Sequence, residues 1–154
     1  MTEQSLQDQY AKNSTCFGCG PKNEKGLQIK SFIKNDKCLC EWSSKPHHEA
    51  FPGILNGGII ASLLDCHANW TATYFLMKKD KKQAPDCTVT ADFAITYLAP
   101  TPTQYPVTLT AWVYKLKNTS ATIKAELFSQ TICCAKATGT FVAVKKGHPA
   151  YNRW

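Results

Sequence analysis

Residues 51–77 read FPGILNGGIIASLLDCHANWTATYFLM, and this stretch decides the fold. It begins as a turn and continues as a helix. Pro52 and Gly53 punctuate the approach, Asn56 is a good N-cap residue, and Gly57 and Gly58 leave the first backbone N–H groups uncovered, where a substrate oxygen could come close. At about 100° per residue, Ile59, Leu63, Trp70, Tyr74 and Met77 form one broad apolar face that is expected to meet the core. Ser62, Asp65, Asn69 and Thr73 share a narrow polar stripe, and Ala61, Ala68 and Ala72 make a strip that admits a close backbone neighbour. Asp65 interrupts an otherwise apolar run, and a desolvated carboxylate is costly unless it is paired or used chemically. Its residues leave both readings open: a core carboxylate satisfied by Ser62, Asn69 or a nearby N–H, or a catalytic group.

Outward from the helix, the 154 residues suit a single domain that buries its own core, with an N-terminal segment and Cys/Gly-rich loop over 1–26 and a core over 27–145. The first fifteen residues carry neither a basic nor an apolar leader, so a soluble, cytoplasmic protein is expected, with no membrane association. Eight cysteines in such a chain read as reduced thiols. The net charge of +7 favours anionic partners, yet the only lysine cluster, Lys78, Lys79, Lys81 and Lys82, follows the helix and suits the negative end of its dipole. With no basic stripe interleaved with exposed aromatics, no nucleic-acid partner is expected.

Residues 4–11 suggest a short helix, and the segment Cys16 to Leu27, CFGCGPKNEKGL, a shaped loop. Leu27 to Ile33 and Lys37 to Ser43 suggest two strands joined at Lys34-Asn35-Asp36. After the helix, CTVTADFAITYLAP alternates cleanly, which predicts a strand with Val89, Ala91, Phe93, Ile95 and Tyr97 on one face and Thr88, Thr90, Asp92 and Thr96 on the other. Val107 to Lys117, Ala121 to Ser129 and Ile132 to Lys145 supply three more, joined by short links that favour antiparallel neighbours. The order predicts an α+β domain, an antiparallel sheet curled around one long central helix. A single sheet leaves an edge and one face to cover, so a homodimer, or a dimer of dimers, is expected.

Cys16, Cys19, Cys38 and Cys40 invite a zinc reading, but the C-x-C pair departs from the usual ligand spacing, and no metal is expected. Cys133 and Cys134 point to opposite faces of a strand. Cys66 and His67 diverge by about 100° on a helix and form no dyad, so His67 reads as a satisfied, partly buried histidine. His47, His48 and Glu49 stand just ahead of the helix.

The segments CFGCGPKNEKGL, FPGILNGGIIASLLDCHANW, TADFAITYLAP and AKATGTFVAV, in that order, resemble the PaaI-type acyl-CoA thioesterases of the hotdog fold. Such enzymes carry His-Gly-Gly with an acidic residue eight positions after the first glycine, a spacing that Gly57 and Asp65 reproduce. The resemblance implies hydrolysis of an acyl-CoA thioester without cofactor. It implies that the Gly57 N–H binds the thioester oxygen, that Asp65 is nucleophile or general base, and that Thr90 assists the water. Asn56 stands where the family has His, and Ala50 where it has a side-chain amide. Asn56 is kept as a catalytic candidate that orients the carbonyl or water. Gly58, Ser62, Asn69 and His48 are the expected substrate-binding residues. The alternative is a non-catalytic hotdog protein that binds an acyl- or aryl-CoA.

Overall fold

A computed structural model describes residues 4–154. Its long helix, α2 (Gly57–Lys79), is capped by Asn56, whose Oδ1 accepts from the N–H groups of Gly58 and Ile59. Lys78 and Lys79 occupy its last turn, where their charge suits the helix dipole. Lys79 pairs with Asp80 and Lys82 with Asp86, as expected of a solvated helix end.

Ahead of α2 come α1 (Leu6–Tyr10), β1 (Phe32–Lys34), β2 (Lys37–Trp42), a 3-10 turn (Pro46–His48), β3 (Glu49–Phe51) and β4 (Ile54–Leu55). After it come β5 (Thr88–Tyr97), β6 (Val107–Leu116), β7 (Ser120–Ser129) and β8 (Ile132–Ala143). Six strands form one antiparallel sheet in the order β1-β2-β6-β7-β8-β5, and β3 and β4 form a separate hairpin. Strand β7 shows why the sheet has an inside: Ala121, Ile123, Ala125 and Leu127 alternate into the core beneath α2. This is the hotdog fold, a sheet wrapped on one central helix.

Several expectations need revision. Helix α2 is enclosed more widely than one apolar face implies: Ile60, Leu64, His67, Ala68, Thr71, Ala72 and Leu76 are buried with Leu63, Trp70 and Met77, while Ile59 and Tyr74 are only half-buried. Burial of each large side chain contributes about 1.5–3 kcal/mol. The strand expected over 27–33 shrinks to Phe32–Lys34, because Leu27 and Ile29 donate their N–H groups to Phe17 and Gly18 in the cysteine loop, and Gln28 takes a positive φ of 56°. The β3–β4 hairpin escaped prediction, its strands being too short to show a period.

The most consequential revision lies in β5. A bulge between Thr90 and Asp92 resets the alternation, so that Thr88 and Thr90 face α2 together with Phe93, Ile95 and Tyr97. The β8 partners of Thr90, Phe93, Ile95 and Tyr97, which are Phe141, Gly139, Ala137 and Ala135, are all buried, whereas Thr96 pairs with exposed Lys136 on the outer face. The free edge of β5 ends the sheet.

Candidate active site

Two features of α2 define the site. At its start, the Asn56 cap engages the N–H groups of Gly58 and Ile59, at 2.8 and 3.2 Å. Among the described residues the Gly57 N–H has no acceptor, so it is free to donate. Gly58, expected to help, is occupied by the cap, while the Asn56 Nδ2 remains able to donate. Tyr97 closes one side: its hydroxyl donates to the Gly57 carbonyl at 2.7 Å, and a methyl group on Gly57 would meet its ring at 3.5 Å.

Two turns further on, Asp65 is half-buried and faces β5, where Thr90 donates its hydroxyl to Oδ1 at 2.7 Å. Burial pushes the Asp65 carboxyl above the ordinary carboxylate range, against the Thr90 hydrogen bond and the Arg153 guanidinium, which hold it down; the Cys16 sulfur adds to the upward shift. A poised carboxylate with a hydroxyl donor is suited to taking a proton from water or attacking a carbonyl carbon.

The polar stripe is present and lies against β5. Asn69 exchanges hydrogen bonds with Thr88, and Thr73 bonds the same hydroxyl. Ser62 is turned back on its own helix, donating to the Gly58 carbonyl at 3.0 Å. Asn69 and Ser62 thus each hold a hydrogen bond within the framework. His48 is also redirected: its ring packs on Trp42 and His47 and accepts from the Lys45 N–H, while its carbonyl receives the Asn56 N–H. It supports the cap through its backbone.

His67 is fully buried and satisfied at both nitrogens. Nε2 donates to the Cys38 carbonyl at 3.0 Å, which leaves Nδ1 to accept from Ser31, itself bonded to Gln7. Burial brings its pKa down to about 4, so it is neutral and structural.

Beside the helix start lies an open groove of about 390 Å³, lined by Phe51, Ile54, Ile60, Tyr97, Leu98 and Pro100 among others. Phe51, Tyr97 and Leu98 are 61%, 50% and 50% exposed, an apolar surface that an acyl group or a neighbouring chain would cover. Sequence reasoning missed Tyr97 and the C-terminal tail. Trp154 stacks on Trp70 at 4.5 Å, and Arg153 donates to the Thr88 carbonyl at 2.7 Å, close enough to Asp65 to influence its ionisation. An aromatic-rich tail beside a long apolar helix was the available signal.

Residues 52–134 match the family described as the Thioesterase superfamily, a span holding Gly57, Asp65 and Thr90. A Thioesterase superfamily protein from Shewanella loihica is 28% identical with a TM-score of 0.71, over 91% of this chain and 100% of its own. A thioesterase from Haemophilus influenzae (16% identity, TM-score 0.68, 79% of this chain and 84% of its own) shares the fold. So does the E. coli PaaI protein from the phenylacetic acid degradation operon (16%, TM-score 0.63, 77% of this chain and 81% of its own). No curated protein matches the sequence. Among the described residues, no helix is long and apolar enough to cross a membrane.

Proposed function

The chain belongs to the Thioesterase superfamily, and on that premise we propose that it hydrolyses an acyl-CoA thioester to the free acid and CoA. The observation that carries this reading is the pairing of an unengaged Gly57 N–H with the half-buried, hydroxyl-bonded Asp65 on one helix. The thioester oxygen is placed on the Gly57 N–H, where the helix dipole favours the negative charge that develops on attack. Asn56 Nδ2 adds a second donor to the carbonyl or water. Asp65, held by Thr90, either takes the proton from the attacking water or attacks the carbonyl carbon itself. In either case the C–S bond breaks, CoA leaves as thiol, and the acyl group acquires a water oxygen. The groove beside Tyr97 and Leu98 would hold the acyl group.

The length of the helix supports a site shared between two chains. Eight residues separate Gly57 from Asp65, a rise of about 12 Å. A single carbonyl group touches partners only about 3 Å away. One chain cannot serve both sides of the same thioester, so the site joins Gly57 of one protomer to Asp65 of another in a two-fold dimer. The unpaired edge of β5 and the exposed apolar groove are the surfaces available for that contact.

The substitutions Asn56 and Ala50 favour the second reading, a hotdog protein that binds an acyl- or aryl-CoA without cleaving it. Thiol release from short, medium, long and aromatic acyl-CoAs separates the two: steady turnover of any class supports hydrolysis, and binding without turnover supports the alternative.

A further inference from the structure

The cysteine set considered from sequence does not assemble. Cys38 and Cys40 lie in the core, where burial pushes both thiols up to about 12. In their place Cys66, from the middle of α2, joins Cys16 and Cys19: the three Sγ atoms all lie within 4.8 Å of one another, and those of Cys16 and Cys66 are 3.8 Å apart. Four thiolates or three thiolates and a water around Zn²⁺, with Zn–S of about 2.3 Å, place neighbouring sulfurs about 3.8 Å apart.

Packed thiols alone reach similar separations, but two further observations go beyond packing. The loop carries glycines where a side chain would block the approach: a Cβ at Gly18 would sit 2.4 Å from the Cys66 sulfur, and one at Gly20 would sit 2.4 Å from the Cys16 nitrogen. The Trp70 Nε1–H donates to the Cys19 sulfur at 3.3 Å, a donor of the kind that orients and stabilises a metal-bound thiolate. Cys16 and Cys66 are half-buried, which leaves a route from solvent, and Cys19 is buried.

The geometry points to a thiophilic metal site, best suited to Zn²⁺, formed by Cys16 and Cys19 of the loop and Cys66 of α2, with the fourth position open to water. Tetrahedral thiolate coordination selects zinc over the hard cations that prefer oxygen. The site is a clasp. It fastens the N-terminal loop to the helix one residue beyond Asp65, and so fixes the helix turn that carries the carboxylate. Its role is structural, and Asp65 chemistry requires no contribution from the metal.

The test uses cobalt as a spectroscopic probe. The full chain is purified in reductant, freed of metal with a chelator, checked for eight titratable thiols, and titrated with Co²⁺. One equivalent is expected to produce the ultraviolet sulfur-to-cobalt charge-transfer band and the intense visible bands of tetrahedral thiolate coordination, which Zn²⁺ then bleaches. Loss of a direct ligand should weaken binding by more than about 100-fold, since even outer partners of a metal site are worth about 10–100-fold. The bands should therefore vanish in Cys16→Ala and Cys66→Ser and persist in Cys133→Ser. Circular dichroism establishes that each variant is folded, and Cys16→Ala, at a half-exposed loop position, decides the matter if Cys66→Ser does not fold. Fully reduced protein that shows no charge-transfer band, or bands that survive removal of Cys16, would overturn the proposal.

Discussion

A mixture of two inactive variants should recover activity if each site is built from two chains. Gly57→Pro removes the proposed oxyanion donor with little else disturbed. Gly57 is the first residue of α2, where proline is tolerated because its missing N–H has no helical partner. Asn56 precedes it at φ −63° and ψ 134°, a conformation proline accepts in its predecessor, and a Cβ at this position would meet Tyr97 at 3.5 Å, an ordinary contact distance. Loss of one oxyanion donor costs about 10²–10³-fold in kcat. Asp65→Asn removes the carboxylate. On the proposed reading, the rise of about 12 Å between the two positions would put the donor and carboxylate of one site on different chains. After co-refolding at equal amounts, about half of the dimers are mixed, and each holds one dead site and one intact site. Thiol release should then return to about a quarter of the parental rate. The assay is steady-state thiol release by each variant alone, by the unmixed pair, and by the co-refolded pair. A co-refolded sample no more active than its parts, with mixed dimers demonstrated by mass spectrometry, would refute a site shared between chains.

Thr90→Val should lower kcat by about tenfold, because the hydroxyl bond to Asp65 is worth about 1–1.5 kcal/mol; the acid limb of the pH–rate profile should move to higher pH, since the lost donor stabilises the charged carboxylate, and an unchanged rate and profile would remove Thr90 from the site. The buried His67 should make stability depend on acid: its pKa falls from 6.5 to about 4 on folding, so the stability it confers is complete above 6.5 and is lost as pH falls toward 4. The loss amounts to about 3 kcal/mol by pH 4. Urea midpoints across this range should fall in the parent and fall less in His67→Gln, and equal slopes would assign the acid sensitivity elsewhere.

What was legible in the sequence is what local chemistry writes. Asn56 and the glycine pair mark the start of α2, and Asp65 stands out by its charge among apolar neighbours. The strand alternations of β5 to β8 survive over most of their length, interrupted by the bulge that turns Thr90 toward Asp65 and by register shifts near Val113 and Leu127. That bulge is invisible to a period of two, because one extra residue leaves composition unchanged while it exchanges the faces beyond it. Long-range pairings were equally hidden. Cys16 meets Cys66 across 50 residues, and Ser31 meets His67 across 36. Neither separation leaves a trace in local spacing. On the helix, Cys66 and His67 diverge as expected, one toward the cysteine loop and the other into the core. The two pairings explain why His67 is no base and why Cys66 was not grouped with Cys16 and Cys19.

Hydrolysis of a thioester by Asp65 is tested by thiol release and thermal melting on the same preparations of the parent chain and Asp65→Asn, after subtraction of the protein's own thiols. Asparagine keeps the volume and an acceptor for the Thr90 hydroxyl but cannot act as base or nucleophile. The barrier should rise by about 3–5 kcal/mol, so turnover should fall by about 150- to 5,000-fold, with the melting temperature near that of the parent and acyl-CoA still bound. A variant that melts early yet turns over acyl-CoA at the parental rate per folded molecule would contradict the account and return Asp65 to a structural role.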